Sequence, residues 1–295
     1  MAEALTIVVI PLIGGEALAR CLASLAPIEA ERIAVMPRRM GALAPWRQRF
    51  PAVAFAAVDD APVPALRAQG GAMARGALIA FIEDSSKPGP QWREALIAAF
   101  ADPQVAAASG PVMVSPRLPA RHQALGFSEY GRFGPRPGDL KTAAAERLPG
   151  NHLAYRRAPL MAALKAQPQG LFEADINAWL RAQGYRLAFH PAMAATYDEA
   201  DHHGARLATR LRHGRLFAAR RVAGLSRRAR AAWLVKSLAL PFLLSGRALR
   251  AAMGRSSWPD LARAAWWICL MESAWAVGES IGYLAGEGRS LESWR

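Results

Sequence analysis

The chain has 295 residues, 53% of them hydrophobic, and its 37 Lys and Arg against 23 Asp and Glu give a formal net charge of +14. This length and composition suit one soluble domain with a basic, apolar appendage. Only two cysteines occur, Cys21 and Cys269, far apart in apolar stretches, which excludes a disulfide or cysteine-metal framework and fits a reducing compartment.

In chain order, residues 5–11 read as a strand, 15–26 as a helix, 31–36 as a strand and 39–50 as a weaker helix. Residues 53–58 then read as a strand, 63–75 as a helix, 77–82 as a strand, 90–101 as a helix and 104–115 as a further strand region. The Pro-, Gly- and Arg-rich stretch 116–147 reads as an irregular loop. Strand-like residues 151–156 and a helix over 173–183 close the domain, and no internal repeat is apparent. Strands alternating with helices predict a mostly parallel sheet. No basic region precedes Leu5, so no signal peptide is expected.

The most informative segment is Ile79-Ala80-Phe81-Ile82-Glu83-Asp84-Ser85, an apolar run ending in two acids and followed by Lys87-Pro88-Gly89-Pro90 and Trp92. A buried parallel strand is a near-continuous apolar run. Acids at its carboxyl end sit where open α/β sheets bind ligands, and carboxylates there can hold a hard cation. Alternatively, Glu83 and Asp84 merely cap the next helix.

Other pieces stand in order around this one. Leu5 to Pro11 is followed by Cys21-Leu22-Ala23-Ser24-Leu25, and Ala74-Arg75-Gly76 leads into Ile79-Ala80-Phe81. Glu94-Ala95-Leu96, Asp102-Pro103, Gly110-Pro111-Val112, Leu148-Pro149-Gly150-Asn151 and Gly184-Tyr185-Arg186-Leu187 come later. Together they resemble a family-two glycosyltransferase of the GT-A fold along most of the chain. The resemblance implies an α/β, Rossmann-like domain over residues 1–204 and a helical region over 205–295. It implies a metal-dependent, inverting enzyme that moves a sugar from a nucleotide-sugar to an acceptor hydroxyl, in cell-envelope glycan or lipid-linked saccharide synthesis. The acceptor is then a saccharide or a lipid-linked saccharide.

The resemblance also assigns roles. Glu83, Asp84 and Asp198 are expected as ligands of Mg2+ or Mn2+, with His202 and His203 as alternatives to Asp198. Pro11, Glu16, Arg75 and Asn151 are expected at the donor. Glu173 is the expected general base and Asp175 the alternative, since residues two apart on a helix cannot point the same way. Tyr130, Arg132 and Phe133 either shape the acceptor cleft or pack their loop. There are departures too. The family's Asp-x-Asp is here Glu83-Asp84-Ser85, and the second strand ends Val35-Met36-Pro37-Arg38-Arg39 with no acid to read the base. These departures sustain a second hypothesis: a degenerate, non-catalytic member acting as a binding partner in polysaccharide assembly.

The tail differs in character. Residues 201–295 hold 16 basic and 6 acidic residues, a net +10, and residues 206–230 carry nine arginines. A basic amphipathic helix reads as a membrane-surface element, and no nucleic-acid motif accompanies it. Apolar stretches 233–245 and 261–285 come next, the second interrupted by Glu272 and Glu279, which are costly in lipid. Trp233, Trp258, Trp266, Trp267 and Trp275 are expected as interfacial anchors. Association with an anionic membrane surface, at the cytoplasmic face of the cell membrane, is therefore expected, against the alternative of a packed helical hairpin.

Overall fold

The computed structural model describes residues 4–135, 143–198 and 207–292. The chain forms two compact units, Met1–Met113 with Pro135–Asp198, and Val114–Gly134 with Glu199–Arg295.

The first unit is built on β1 (Leu5–Ile10), β2 (Glu31–Pro37), β3 (Ala54–Val58) and β4 (Leu78–Glu83), joined by helices α1 (Gly15–Leu25), α2 (Ala44–Arg49) and α3 (Val63–Met73). The short strand β5 (Ser86–Pro88), helix α4 (Trp92–Ala99), β6 (Val105–Ser109) and β7 (Val112–Val114) follow. All six residues of β1 and of β4 are buried, as strands covered on both faces must be. Leu5, Ile7 and Val9 pack with Leu18, Leu22 and Leu25 of α1 and with Trp92 and Leu96 of α4. Val8 faces the other way, toward α3. A methyl group on Gly70 of that helix would lie 2.4 Å from the Val8 side chain, so glycine permits the close helix–strand approach.

After α5 (Ala120–Tyr130), the first unit resumes with β8 (Ala143–Ala144), β9 (His152–Arg156), α6 (Arg157–Ala166), α7 (Glu173–Ala182), β10 (Arg186–Phe189) and β11 (Ala195–Tyr197). The large sheet runs β3-β2-β1-β4-β9-β6-β10-β8, and β5, β11 and β7 form a small one. β1 pairs in parallel with β2 and β4, β2 with β3, and β6 with β10, whereas β9 runs antiparallel between β4 and β6. The expected strand region 104–115 is two strands, broken at Gly110-Pro111, where a side chain on Gly110 would meet the Met193 carbonyl at 2.2 Å.

The second unit corrects one expectation outright. The stretch 116–147 is not irregular throughout, because α5 occupies Ala120–Tyr130 and belongs to this unit. The other helices here are α8 (Leu207–Arg221), α9 (Arg227–Ser237), α10 (Leu240–Ala252) and α11 (Trp258–Ala285). α8 and α11 cross closely on glycines: side chains on Gly214, Gly278 and Gly282 would collide with the carbonyls of Trp275, Leu211 and Arg215. The buried acids of α11 find cations on α8. Arg210 pairs with Glu272 at 3.6 Å and with Glu129 of α5 at 2.8 Å, and Arg221 pairs with Glu279 at 2.6 Å. Glu279 also accepts from Trp275 Nε1 at 2.8 Å and from the Tyr283 hydroxyl at 2.5 Å.

Two of the expected interfacial tryptophans, Trp233 and Trp275, are half-buried and have partners within the helices. Trp275 lies under Arg210, and Trp233 stacks on Tyr283 with Arg221 over its ring, because each indole finds a cation or hydrogen-bond partner within the helices. Trp258 and Trp266 are exposed. Among the described residues, no single helix is long and apolar enough to cross a membrane. The bent pair Arg227–Ser237 and Leu240–Ala252 passes that test only when its two helices are taken together.

Candidate active site

The carboxyl ends of β1 and β4 lie side by side, Ile10 opposite Glu83. β1 leads outward to β2 and β3 on one side, and β4 starts the other half of the sheet. Open α/β sheets bind ligands in the crevice outside the strand ends at such a switch. Pro11, Asp84 and the residues after each strand stand there.

Asp84 is 2% exposed and builds the floor of this corner. Its Oδ1 accepts from the N–H of Leu12 at 2.9 Å and of Ile13 at 3.3 Å; its Oδ2 accepts from Ile13 at 3.0 Å and Gly14 at 2.7 Å. The turn after β1 can aim three amides at one carboxylate because Gly14 takes φ +78, which L side chains rarely adopt. Cys21 lies below, its thiol pushed up by burial and by the Asp84 charge, so it is held as an inert thiol.

Beside this corner lies an ion triad that spans the unit. Arg67 of α3 is 1% exposed; its Nη2 donates to Glu83 Oε1 at 2.7 Å and to the Gly150 carbonyl at 2.8 Å, and its Nη1 donates to Glu173 Oε2 at 2.9 Å. Glu173 opens α7, where the helix dipole favours an acid. Its second oxygen, Oε1, has no hydrogen-bond partner among the described residues and lies against Gly150, where a side chain would sit 3.1 Å from it. Asp175, two residues along α7, is half-buried and turned roughly 200° around the helix from Glu173. Burial, with the nearby Glu173 charge adding, pushes the Tyr155 hydroxyl up; it donates to Asn177 Oδ1 at 3.1 Å.

The loop before β9 closes the corner. Asn151 is fully buried; its Nδ2 donates to Ser86 Oγ at 2.8 Å, and its carbonyl accepts from Glu83 N at 2.9 Å. It therefore fixes the segment after β4 to the loop after Gly150. His152 is also fully buried, with Nε2 3.2 Å from the Met193 carbonyl, and burial lowers its pKa to about 4. Farther along, Lys87 Nζ meets Asp198 Oδ2 at 2.8 Å where β5 pairs with β11. Ser85 Oγ is buried without a hydrogen-bond partner among the described residues.

The remaining expected donor residues separate. Glu16 is largely exposed and holds Arg49 at 3.0 Å, whose hydrogen bond keeps its carboxyl below the usual range. Arg75 is at the wrong end of the sheet: it precedes β4 and pairs with Glu31 of β2 at 2.7 Å. A six-residue strand puts it roughly 20 Å from the Glu83 end. Arg38 and Arg39 are bound to Asp59 and Asp60, two acids that come after β3 rather than β2. Tyr130 and Phe133 are buried in the second unit, and Arg132 stacks over Phe133.

The expected cation ligands do not fit a cation in this arrangement. Both oxygens of Asp84 accept from amides, Glu83 faces Arg67 and Asp198 faces Lys87. Among the described residues no three His, Cys, Asp or Glu side chains converge on one point. A carboxylate already satisfied by donors has little left to offer an ion, and Ser85 supplies a neutral hydroxyl where the motif has its second acid. His202 and His203 lie outside the described residues.

No protein-family profile matches the chain, and no curated protein matches it. Solved structures do. The mannosyltransferase PcManGT from Pyrobaculum calidifontis, in complex with GDP-Man and Mn2+, is 17% identical with a TM-score of 0.58, over 97% of this chain and 88% of its own. GalNAc-T7 with UDP, GalNAc and Mn2+ is 12% identical with a TM-score of 0.53, over 67% of this chain and 44% of its own. Both neighbours are glycosyltransferases of the GT-A type, and this chain shares their fold, a central, largely parallel sheet flanked by helices; its own C-terminal part is helical.

Proposed function

We propose that the chain is an inverting glycosyltransferase of family two that takes a sugar from a nucleotide-sugar and places it on an acceptor hydroxyl. The observation that carries this reading is the Glu83–Arg67–Glu173 triad beside the β1/β4 switch. It supports the reading because Arg67 holds Glu173 through Oε2 and leaves Oε1 outside the triad. The acceptor oxygen forms a bond to the anomeric carbon as the bond from that carbon to the diphosphate oxygen breaks. The acceptor proton passes to Glu173 Oε1. A single displacement of this kind inverts the anomeric centre. Arg67 keeps the Glu173 carboxylate oriented through Oε2, a positioning role, and Asp84 fixes the 12–14 turn against which the nucleotide is bound. The partly exposed ammonium of Lys87 is the chain's own offset for charge developing on the diphosphate.

The expectation of Mg2+ or Mn2+ comes from the resemblance and from the manganese named with both neighbours, not from the carboxylates of this chain. We place the enzyme at an anionic membrane surface, at the cytoplasmic face, serving a saccharide or lipid-linked acceptor in cell-envelope glycan synthesis. The basic second unit supports that placement.

A second reading keeps the fold without turnover, favoured by the neutral Ser85 in the acidic motif, whose hydroxyl has no partner among the described residues. Calorimetry with UDP and GDP, on the wild type and on Glu173→Gln, separates the two. The enzyme binds one nucleoside diphosphate equally well in both forms, and turnover disappears only in the variant. A folded protein that binds neither nucleotide is the degenerate partner.

A further inference from the structure

The sequence from Leu207 to Pro259 carries twelve Arg and Lys and no Asp or Glu. At its middle, α9 and α10 meet at a bend of 54°. The inward side of α9 is settled by contacts: Trp233 and Leu234 pack against Ala218, Val222 and Tyr283, and the buried Ser237 hydroxyl lies 2.9 Å from Ser280 Oγ. On α10 the buried residues are Ser245, Ala248 and Ala252. Val235 and, between Ser237 and Ser245, Leu238, Phe242 and Leu243 face outward. Val235 is 67% exposed, Leu238 73%, Phe242 80% and Leu243 63%. Four large apolar side chains within nine positions thus crown the bend, a concentration that water does not favour and that isolated surface residues do not produce. Arg227, Arg228, Arg230, Lys236, Arg247 and Arg250 are exposed around them.

We infer that this bend is the element by which the second unit seats on an anionic bilayer, with Val235, Leu238, Phe242 and Leu243 entering the headgroup boundary and the surrounding cations meeting lipid phosphates. An apolar wedge rimmed with Arg and Lys matches an interfacial helix pair, buried a few ångströms deep. The charge argues against a second copy as occupant, since a two-fold contact through this face sets like charges against each other. Nucleic acid offers phosphates but nothing in which four aliphatic and aromatic side chains can be buried. The inference rests on the membrane-surface part of the proposed function and is independent of the transfer chemistry. It replaces Trp233 and Trp275 as anchors, because both are bound within the helices.

The test is flotation of the full-length protein with vesicles of phosphatidylcholine containing about a third phosphatidylglycerol. Phe242→Ser/Leu243→Ser changes only exposed side chains and is expected to bind at least tenfold more weakly, with an unchanged melting temperature. Arg227→Ala/Arg228→Ala/Arg230→Ala is expected to lose most of its preference for anionic over pure phosphatidylcholine vesicles. Wild-type flotation with no loss in the Phe242/Leu243 variant overturns the bend as the seating element while leaving membrane association standing. A wild type that ignores these vesicles at low salt overturns both. A concentration-dependent dimer abolished by the same variant assigns the face to a second copy, and undiminished retention on phosphate-rich nucleic acid by the serine variant assigns it to charge alone; either result refutes the inference.

Discussion

Replacing Arg67 by methionine tests the site as a physical object. The guanidinium is 1% exposed and makes three charge-assisted or carbonyl contacts between 2.7 and 2.9 Å. Methionine fills most of its volume and supplies no donor. Glu83, 8% exposed at its side chain, and Glu173, 17% exposed, then face each other without a cation, and the Gly150 carbonyl loses its donor. Removing one partner from a buried ion pair costs about 3–5 kcal/mol, and the partial exposure of Glu173 argues for the lower half of that range. A domain stable by about 5–15 kcal/mol survives the change. Urea denaturation of wild type, Arg67→Met, Glu83→Gln and the double variant forms a cycle in which contacting residues show coupling of about 0.5–3 kcal/mol. Arg67→Lys should recover only part of the loss, since one ammonium cannot reproduce a planar fork that reaches two acids. A loss in Arg67→Met below about 1 kcal/mol, or additive single variants, would refute the triad as a stabilising and orienting element.

Other expectations arise from the same corner. Glu173→Gln should lower turnover roughly 10²–10⁴-fold with nucleotide affinity barely changed; if Asp175→Asn gives the large drop instead, the base is Asp175. Asp84→Asn should destabilise the protein by about 2–3 kcal/mol and speed amide exchange at Leu12, Ile13 and Gly14, because an amide donor replaces an acceptor oxygen; unchanged exchange there would show that the carboxylate does not hold the turn. Acid should destabilise the fold through His152. Its pKa is about 4 when folded against about 6.5 unfolded, so the unfolded chain binds the proton first; stability is full above pH 6.5 and falls as pH drops toward 4. The loss at pH 5 relative to pH 7 is roughly 2 kcal/mol, and His152→Gln should flatten that dependence; a variant with the same pH profile as wild type would place the titration elsewhere.

The parts of the fold that the sequence displays are those carried by local patterns. β1 and β4 are continuous apolar runs because both faces are covered, and the helix at Glu173 is announced by acids at its first turn. α5 is hidden because it is buried nearly all round, from His122 to Ser128, and so lacks an amphipathic stripe, and because Pro119 and Gly131 punctuate its ends as they would a loop. Arg67 escapes a reading of the sequence because its partner Glu173 is 106 positions away and no spacing rule links them. Asp84 is located by its motif, yet its partners are backbone amides, which leave no mark in the sequence. Arg75 belongs to the same run as Asp84, but a strand carries its two ends apart. Trp233 and Trp275 suit an interface or packing among helices equally well in composition; their partners Arg221, Arg210 and Glu279 leave no mark in the local sequence.

The decisive experiment for the transferase reading is a screen of UDP- and GDP-linked sugars for release of the nucleoside diphosphate, run on wild type and Glu173→Gln with manganese and again after chelation. We predict that at least one nucleotide-sugar is turned over by the wild type and that Glu173→Gln loses that turnover while still binding the donor. Chelation should leave binding in place, because Glu83, Asp84 and Asp198 are held by Arg67, backbone amides and Lys87. A folded wild type that neither binds nor hydrolyses any of them would contradict the transferase reading, and binding that vanishes on chelation would show that those three carboxylates leave their protein partners for an ion.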